Sequence, residues 1–171
     1  MSENICEKRE DTCEKWEDTC EKRDDVCKPN QILVYSSFVF LTNVIVGIYF
    51  GYYVYAFLFF LLCCISIIFH SNPCNTNLLV DKIAICLVVF YGGYVFYNKC
   101  TKTDCFHGEN VGRNALLAFI IMMTFFTTVY LYYYGYTCKK YCFAEDTNVA
   151  NRYHAFMHMV GSFGHNLIIF M

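Results

Sequence analysis

The sequence has little charge beyond its first 30 residues, no strongly basic cluster and no apolar leader behind a basic start. With a net charge of −2, the lack of a basic cluster argues against a nucleic-acid partner. The missing leader pattern means that we expect no cleaved signal peptide, and the first apolar segment would then direct its own insertion. The long runs beyond residue 30 are apolar on all sides. Such helices have no polar face to present to water, which excludes a soluble helical bundle.

Long apolar segments separated by short polar breaks make up most of the 171 residues. A helix needs about 20 mostly apolar residues to cross a bilayer. Five segments meet this length, at 32–50, 51–69, 79–98, 115–135 and 153–171. Gly47 and Gly51 mark the expected turn between the first two. The sequence therefore predicts an all-α, polytopic transmembrane helical bundle of about five spans over residues 31–171, in direct contact with the lipid bilayer.

The orientation of this bundle follows from the charges near the span ends. An odd number of spans places the N-terminus, the break at 70–78 and the loop at 136–151 on one side of the membrane. That side carries more Lys and Arg near the span ends than the other, which favours a cytosolic N-terminus. Tyrosine clusters near the ends of several spans are typical of the membrane–water interface.

Residues 1–30 form a separate, charged tail with a tandem repeat. CEKREDT, CEKWEDT and CEKRDDV follow one another and place cysteines at Cys6, Cys13, Cys20 and Cys27. A seven-residue period suggests a heptad helix, but no second apolar position completes a coiled-coil seam. A solvated charged helix or a disordered segment is the simplest interpretation. Acylation of Cys27, or dimerisation through the tail thiols, is the alternative.

Twelve cysteines are a high count for a chain of this length. Cys63, Cys64 and Cys86 lie inside apolar runs, where a free cysteine behaves as a small buried apolar side chain. Two further pairs share predicted loops, namely Cys100 with Cys105 and Cys138 with Cys142. A disulfide is possible for the pair that faces an oxidising compartment.

Ionisable residues within spans are energetically costly, so each requires an explanation. Ser66 and His70 are four residues apart and share a helix face at the end of the second span. His154 and His158 repeat that spacing at the start of the fifth span, and Asp81 lies at the start of the third. The predicted topology places all five groups at the same end of the bundle.

Three imidazoles beside a carboxylate and a hydroxyl suit a catalytic zinc site, which has three protein ligands and an open fourth position. Each residue also has a simpler interpretation. A lone histidine at a span end is often an interfacial residue, Asp81 could interact with a helix dipole, and Ser66 could be a small packing residue. A chance convergence of all five is much less probable than any single case.

The three stretches SIIFH from Ser66 to His70, Asp81, and HAFMH from His154 to His158 resemble the motifs of a known superfamily. It comprises alkaline ceramidases, adiponectin-receptor-like (progestin and adipoQ receptor) proteins, and Per1- and myomaker-type membrane proteins. The resemblance implies a membrane-embedded zinc hydrolase that cleaves lipid amides or esters. It implies that the three histidines bind Zn²⁺, that Asp81 positions or deprotonates water, and that Ser66 stabilises an oxyanion.

The resemblance covers about fifty residues, and the family usually has about seven spans where this sequence predicts five. Hydrolysis of a sphingolipid or phospholipid is the leading hypothesis. The alternatives are a non-enzymatic, receptor-like or membrane-remodelling protein with a structural zinc site, a bis-histidine haem protein, and a metal-free scaffold. His165 is about 10 Å beyond His158 along the helix, too far to bind the same ion. It is expected to pack, to form a hydrogen bond or to contact substrate.

Overall fold

The computed structural model describes residues 30–102 and 111–171, and these are helical with no strand among them. The all-α prediction is therefore confirmed for this part of the chain. Asn30 is the only residue of the repeat tail among the described residues. The cysteines Cys6, Cys13, Cys20, Cys27 and Cys105 lie outside them. The helices are α1 (Gln31–Ser37), α2 (Phe40–Tyr49), α3 (Tyr53–Ser71), α4 (Asn75–Lys102), α5 (Val111–Cys138) and α6 (Thr147–Phe170), with a 3-10 turn at Tyr141–Phe143 before α6.

Four segments among the described residues are long and apolar enough to cross a membrane. They are Gln31–Tyr49, Tyr53–Ser71, Asn75–Thr101 and Val111–Phe143. These correspond to the first four predicted spans, and a multi-pass membrane protein is supported. The fifth predicted span, 153–171, lies within α6 apart from Met171, and α6 has the length of a span. Its histidines, asparagines and Arg152 make it more polar than the other four segments.

The first predicted span consists of two helices, because the backbone tightens between α1 and α2. The amides of Phe38 and Val39 bond to carbonyls three residues earlier, at 3.2 and 3.1 Å. Ser36 and Ser37 direct their hydroxyls to the Leu33 carbonyl, at 3.0 and 2.8 Å. Serine hydroxyls that bond back to the preceding turn commonly bend a helix.

The turn between α2 and α3 agrees with the sequence prediction at Gly51 and differs from it at Gly47. Gly51 has a φ of 77°, a conformation that glycine adopts without steric cost. Gly47 is a buried residue inside α2 and not part of the turn. A Cβ added there would lie 3.1 Å from the Cβ of Ala56. The prediction for Gly47 is therefore wrong, because this glycine permits close packing of α2 on α3.

The connection from α5 to α6 turns sharply and then starts α6 with a strong cap. The Lys140 amide bonds to the Gly135 carbonyl at 3.0 Å. At the start of α6, the Asp146 carboxylate accepts hydrogen bonds from two free amides of the first turn, Asn148 at 2.8 Å and Val149 at 3.4 Å. At the other end of α6, Lys99 Nζ on α4 donates to the Ile169 carbonyl at 2.7 Å. Both ends of α6 are thus held by side chains.

The core forms where α3 packs against α2 and α4. Its fully or nearly buried members are Phe40, Tyr55, Phe59, Leu62, Cys63, Ala84, Val88 and Ile169. α6 packs against α1, α2 and α5, so that α1 and α2 contact both α3 and α6. This arrangement brings the end of α3 and the beginning of α6 together at the same end of the bundle.

Among the described residues, Cys63, Cys64, Cys74, Cys86, Cys138 and Cys142 have free thiols. Cys63 is buried, as its apolar surroundings predict, whereas Cys64 is half-buried and Cys86 is exposed. Cys138 and Cys142 are not joined, so the disulfide considered for this loop is not formed.

Candidate metal centre

The three histidines singled out from the sequence converge at one end of the bundle. His70 lies in the last turn of α3, and His154 and His158 lie one turn apart on α6. Each offers one nitrogen, and these nitrogens all lie within 4.8 Å of one another. His154 and His158 have ring centroids 4.9 Å apart, and each lies near His70, at 5.1 and 5.5 Å. Two helices distant in sequence thus supply one cluster of nitrogen donors.

Two aromatic rings border the cluster. The ring of Phe69 lies 4.9 Å from that of His70, and the ring of Phe40 lies 5.0 Å from that of His158. His70 and His158 are buried and His154 is half-buried. The Nε2 atom of His70 is buried without a hydrogen-bond partner. A buried polar nitrogen without a partner costs free energy, so this position favours an additional ligand.

Asp81 lies on α4, six residues after the helix begins at Asn75. Its position nearly two turns inside the helix argues against a simple helix-start role. Its side chain is only 5% exposed, and its Oδ1 atom has no hydrogen-bond partner. Asp81 is not among the residues whose possible ligand atoms lie within 4.8 Å of one another. It is therefore a buried carboxylate outside the histidine cluster, and one of its oxygens has no hydrogen-bond partner among the described residues.

Ser66 is 1% exposed and lies one turn before His70 on the same face of α3. Its Oγ is 3.0 Å from the Oγ of Ser37. Because Ser37 donates its single hydrogen to the Leu33 carbonyl, Ser66 must be the donor in the Ser66–Ser37 pair. The Ser66 hydroxyl is thus held by α1 and has to turn away from Ser37 before it can donate elsewhere.

His165 lies outside the cluster. Its Nδ1 is hydrogen-bonded to the hydroxyl of Tyr55 on α3, a residue that is completely buried. The absence of a side chain at Gly92 makes room for this pair, since a Cβ there would lie 2.5 Å from the His165 ring. The structure agrees with the hydrogen-bonding interpretation of His165.

Two residues near the cluster were not predicted from the sequence. Ser36 Oγ lies 2.8 Å from Nδ1 of His158, and the Asn30 amide donates to the carbonyl of His70 at 3.0 Å. The signal for Ser36 was present, because two adjacent serines in an apolar span require the same explanation as any polar residue there. The signal for Asn30 was absent, because the contact is made by a backbone amide that every residue but proline has.

Three neutral imidazoles are a donor set that zinc, copper, iron and nickel accept and that magnesium and calcium, which prefer oxygen, do not. Zinc binds histidine nitrogen at about 2.0–2.1 Å, which places ligand nitrogens of a tetrahedral site about 3.3 Å apart. The separation of up to 4.8 Å is wider, so ligand binding requires the rings to move inward.

No protein-family model, no curated protein and no solved structure matches this chain.

Proposed function

We propose that this chain is a membrane-embedded, zinc-dependent hydrolase that cleaves an amide (ceramide-like) or ester bond in a lipid. The convergence of His70, His154 and His158 at one end of the bundle is the observation that carries the proposal. The resemblance of the SIIFH, Asp81 and HAFMH stretches to alkaline ceramidases and adiponectin-receptor-like proteins supports the same chemistry.

The residues present fit a zinc ion. Three histidines with an open position are the donor set of catalytic zinc sites, and the partnerless Nε2 of His70 is an atom that such an ion would satisfy. When bound, zinc polarises a carbonyl group and makes water a nucleophile at neutral pH. The histidines hold the ion, and the surrounding Phe40 and Phe69 rings limit the access of bulk water.

The remaining chemistry is assigned to Asp81 and Ser66. As water oxygen bonds to the lipid carbonyl carbon, Asp81 accepts the water proton and then delivers it to the leaving amine or alcohol as the C–N or C–O bond breaks. The Ser66 hydroxyl turns from Ser37 to donate to the oxyanion of the tetrahedral intermediate. The buried, unpartnered Oδ1 of Asp81 supports the proton-transfer role.

The proposal includes a topology. α6 is the fifth span, in spite of its polar residues, because His158, Ser162 and His165 are hydrogen-bonded to α1, α2 and α3. Ser162, for example, is hydrogen-bonded to Asn43, and His165 to Tyr55. The N-terminus is cytosolic. The lipid substrate, a sphingolipid or a phospholipid, reaches the site laterally from the bilayer; the many exposed large apolar side chains on the outer surface support contact with lipid.

Metal analysis and hydrolysis assays on purified protein test the proposal together. We expect one zinc per chain in the wild type, none in His158→Ala, and release of fatty acid from ceramide or lysophospholipid by the wild type only. Zinc without turnover of any lipid amide or ester would favour the receptor-like alternative with a structural site. Absence of stoichiometric zinc, or a Soret absorbance that indicates haem, would overturn the proposal.

A further inference from the structure

The short helix α1 contacts both of the helices that carry the histidines. The residue that caps its start binds α3, because the Asn30 amide donates to the His70 carbonyl at 3.0 Å. In its last turn, Ser37 is hydrogen-bonded to Ser66 on α3, and Ser36 is hydrogen-bonded to His158 on α6. Adjacent helical residues point about 100° apart, which lets this serine pair reach two different helices.

The hydrogen bonds of Ser36 determine which atom carries the hydrogen between it and His158. A serine hydroxyl has one hydrogen to donate and two lone pairs to accept with. Ser36 Oγ donates to the Leu33 carbonyl at 3.0 Å, and this contact requires the serine hydrogen because a carbonyl cannot donate. The 2.8 Å contact between Ser36 Oγ and His158 Nδ1 then needs its hydrogen from the imidazole.

We propose that Ser36 is a positioning residue that holds His158 in the Nδ1–H form and leaves Nε2 with a free lone pair for the metal. The metal-binding part of this inference rests on the proposed function. The tautomer itself does not, because it follows from the contacts of Ser36 alone. Histidines that bind metals generally donate their other ring hydrogen to a fixed acceptor, which sets both the ring orientation and the basicity of the ligand.

The local backbone explains why this acceptor is fixed. α1 ends where the amides of Phe38 and Val39 bond three residues back, a tightening that often marks a functional position within a helix. On the next turn, Phe40 lies against the His158 ring at 5.0 Å, with the ring planes tilted by 52°. The imidazole is therefore held at one nitrogen by a hydroxyl and along its side by an aromatic ring.

Nitrogen NMR of histidine-labelled, metal-free protein tests the tautomer directly. Each ring nitrogen reports whether it carries hydrogen, and the signals of His158 are assigned by their loss in His158→Gln. We expect Nδ1–H in the wild type and in Ser36→Thr, which keeps the hydroxyl. We expect a mixture of the two neutral forms in Ser36→Ala. An Nε2–H form in the wild type, or an unchanged form in Ser36→Ala, would overturn the inference.

Zinc affinity, measured by competition with a chromophoric chelator, is the second readout. Loss of such a supporting hydrogen bond typically weakens metal binding by about 10–100-fold, and we expect this for Ser36→Ala, with recovery in Ser36→Thr. Thr42→Val is the matched control, because Thr42 bonds to Val39, Ser162 and Asn166 and to no imidazole. Equal affinities of Ser36→Ala and Thr42→Val would contradict the metal-binding role of Ser36.

The two proposals fail in distinguishable ways. If the wild type binds no zinc, the proposed function is wrong, and the tautomer measurement on the metal-free protein still decides the role of Ser36. If the wild type binds zinc and His158 carries its hydrogen on Nε2, the zinc site stands and Ser36 has no positioning role.

Discussion

Side chains of α3 and α6 meet at two places, and the two meetings differ in their hydrogen bonding. In the interior, Tyr55 and His165 satisfy each other, and Gly92 leaves room for them. At the end of the bundle, His70, His154 and His158 present nitrogens to one another, and Nε2 of His70 has no partner. His158 and His165 are two helical turns apart on the same helix, so the difference is set by their partners.

This comparison shows how a structural histidine and a candidate ligand differ in a membrane protein. A buried polar group without a partner is costly in an apolar interior. The Tyr55–His165 pair removes this cost within the chain, and nothing further is required of it. In the histidine cluster, the buried Nε2 of His70 has no partner, so this free-energy cost remains. That is expected where an external ion completes the site.

The largest effect is expected from removing one ligand of the cluster. His70→Ala should abolish stoichiometric zinc binding, because two imidazoles cannot form the three-ligand site. His165→Phe, the matched control, should keep one zinc per chain. Elemental analysis of both variants, after size-exclusion chromatography confirms that they are folded, checks this. Zinc loss in His165→Phe but not in His70→Ala would mean that His165, and not the histidine cluster, belongs to the zinc site.

The next effect concerns turnover without metal loss. Asp81→Asn keeps the size of the side chain and removes its ability to accept a proton, so hydrolysis should fall by about 10²–10⁴-fold. Zinc content should stay at one per chain, because Asp81 is not among the clustered donors. Parallel measurement of lipid hydrolysis and zinc content checks both statements. Full activity in Asp81→Asn would remove this residue from the mechanism.

Alanine substitutions at the adjacent glycines Gly92 and Gly93 test how tightly the Tyr55–His165 pair is packed. A Cβ at Gly92 would lie 2.5 Å from the His165 ring, whereas one at Gly93 would meet nothing within 4 Å. Gly92→Ala should therefore destabilise the fold by about 1–3 kcal/mol, as overpacking does. Gly93→Ala should be close to neutral. SDS-induced unfolding in mixed micelles measures the difference, and equal midpoints would show that His165 moves aside freely.

The smallest effect is expected from Tyr55→Phe, which removes one hydroxyl and keeps the ring. The loss should be about 1 kcal/mol, the usual scale of a hydrogen bond between membrane helices. Zinc content should be unchanged. The same unfolding assay, with zinc analysis alongside, checks the prediction. Reduced zinc binding in this variant would mean that the interior pair and the cluster are energetically coupled.

Much of the helical architecture could be predicted from the sequence, because hydropathy and length report directly on spans. The first two of the four most apolar segments are shifted by only one or two residues from the predicted ranges, and the third and fourth extend beyond their predicted ranges at both ends. Gly47 was misplaced because its neighbour across the helix pair, Ala56, is nine residues away in sequence and its proximity depends on packing. α6 is a helix, as predicted, although its polar residues keep it from standing out by hydropathy.

The candidate site was only partly predictable. His70, His154 and His158 could be placed together because four-residue spacings and a count of spans fix their height in the membrane. Ser36 and Ser37 could not be assigned to particular partners, because their directions depend on the bend between α1 and α2. The bond between Ser66 and Ser37, which limits the freedom of the Ser66 hydroxyl, depends on the same bend.

The contacts at the two ends of α6 also fix its position along the bundle axis. Asp146 binds the first free amides and Lys99 binds the Ile169 carbonyl near the last turn. A helix advances about 1.5 Å per residue, so a slip of one residue would displace both imidazoles of α6 by a distance comparable to a metal–ligand bond. The Asp146 cap and Lys99 therefore determine the axial position at which His154 and His158 face His70.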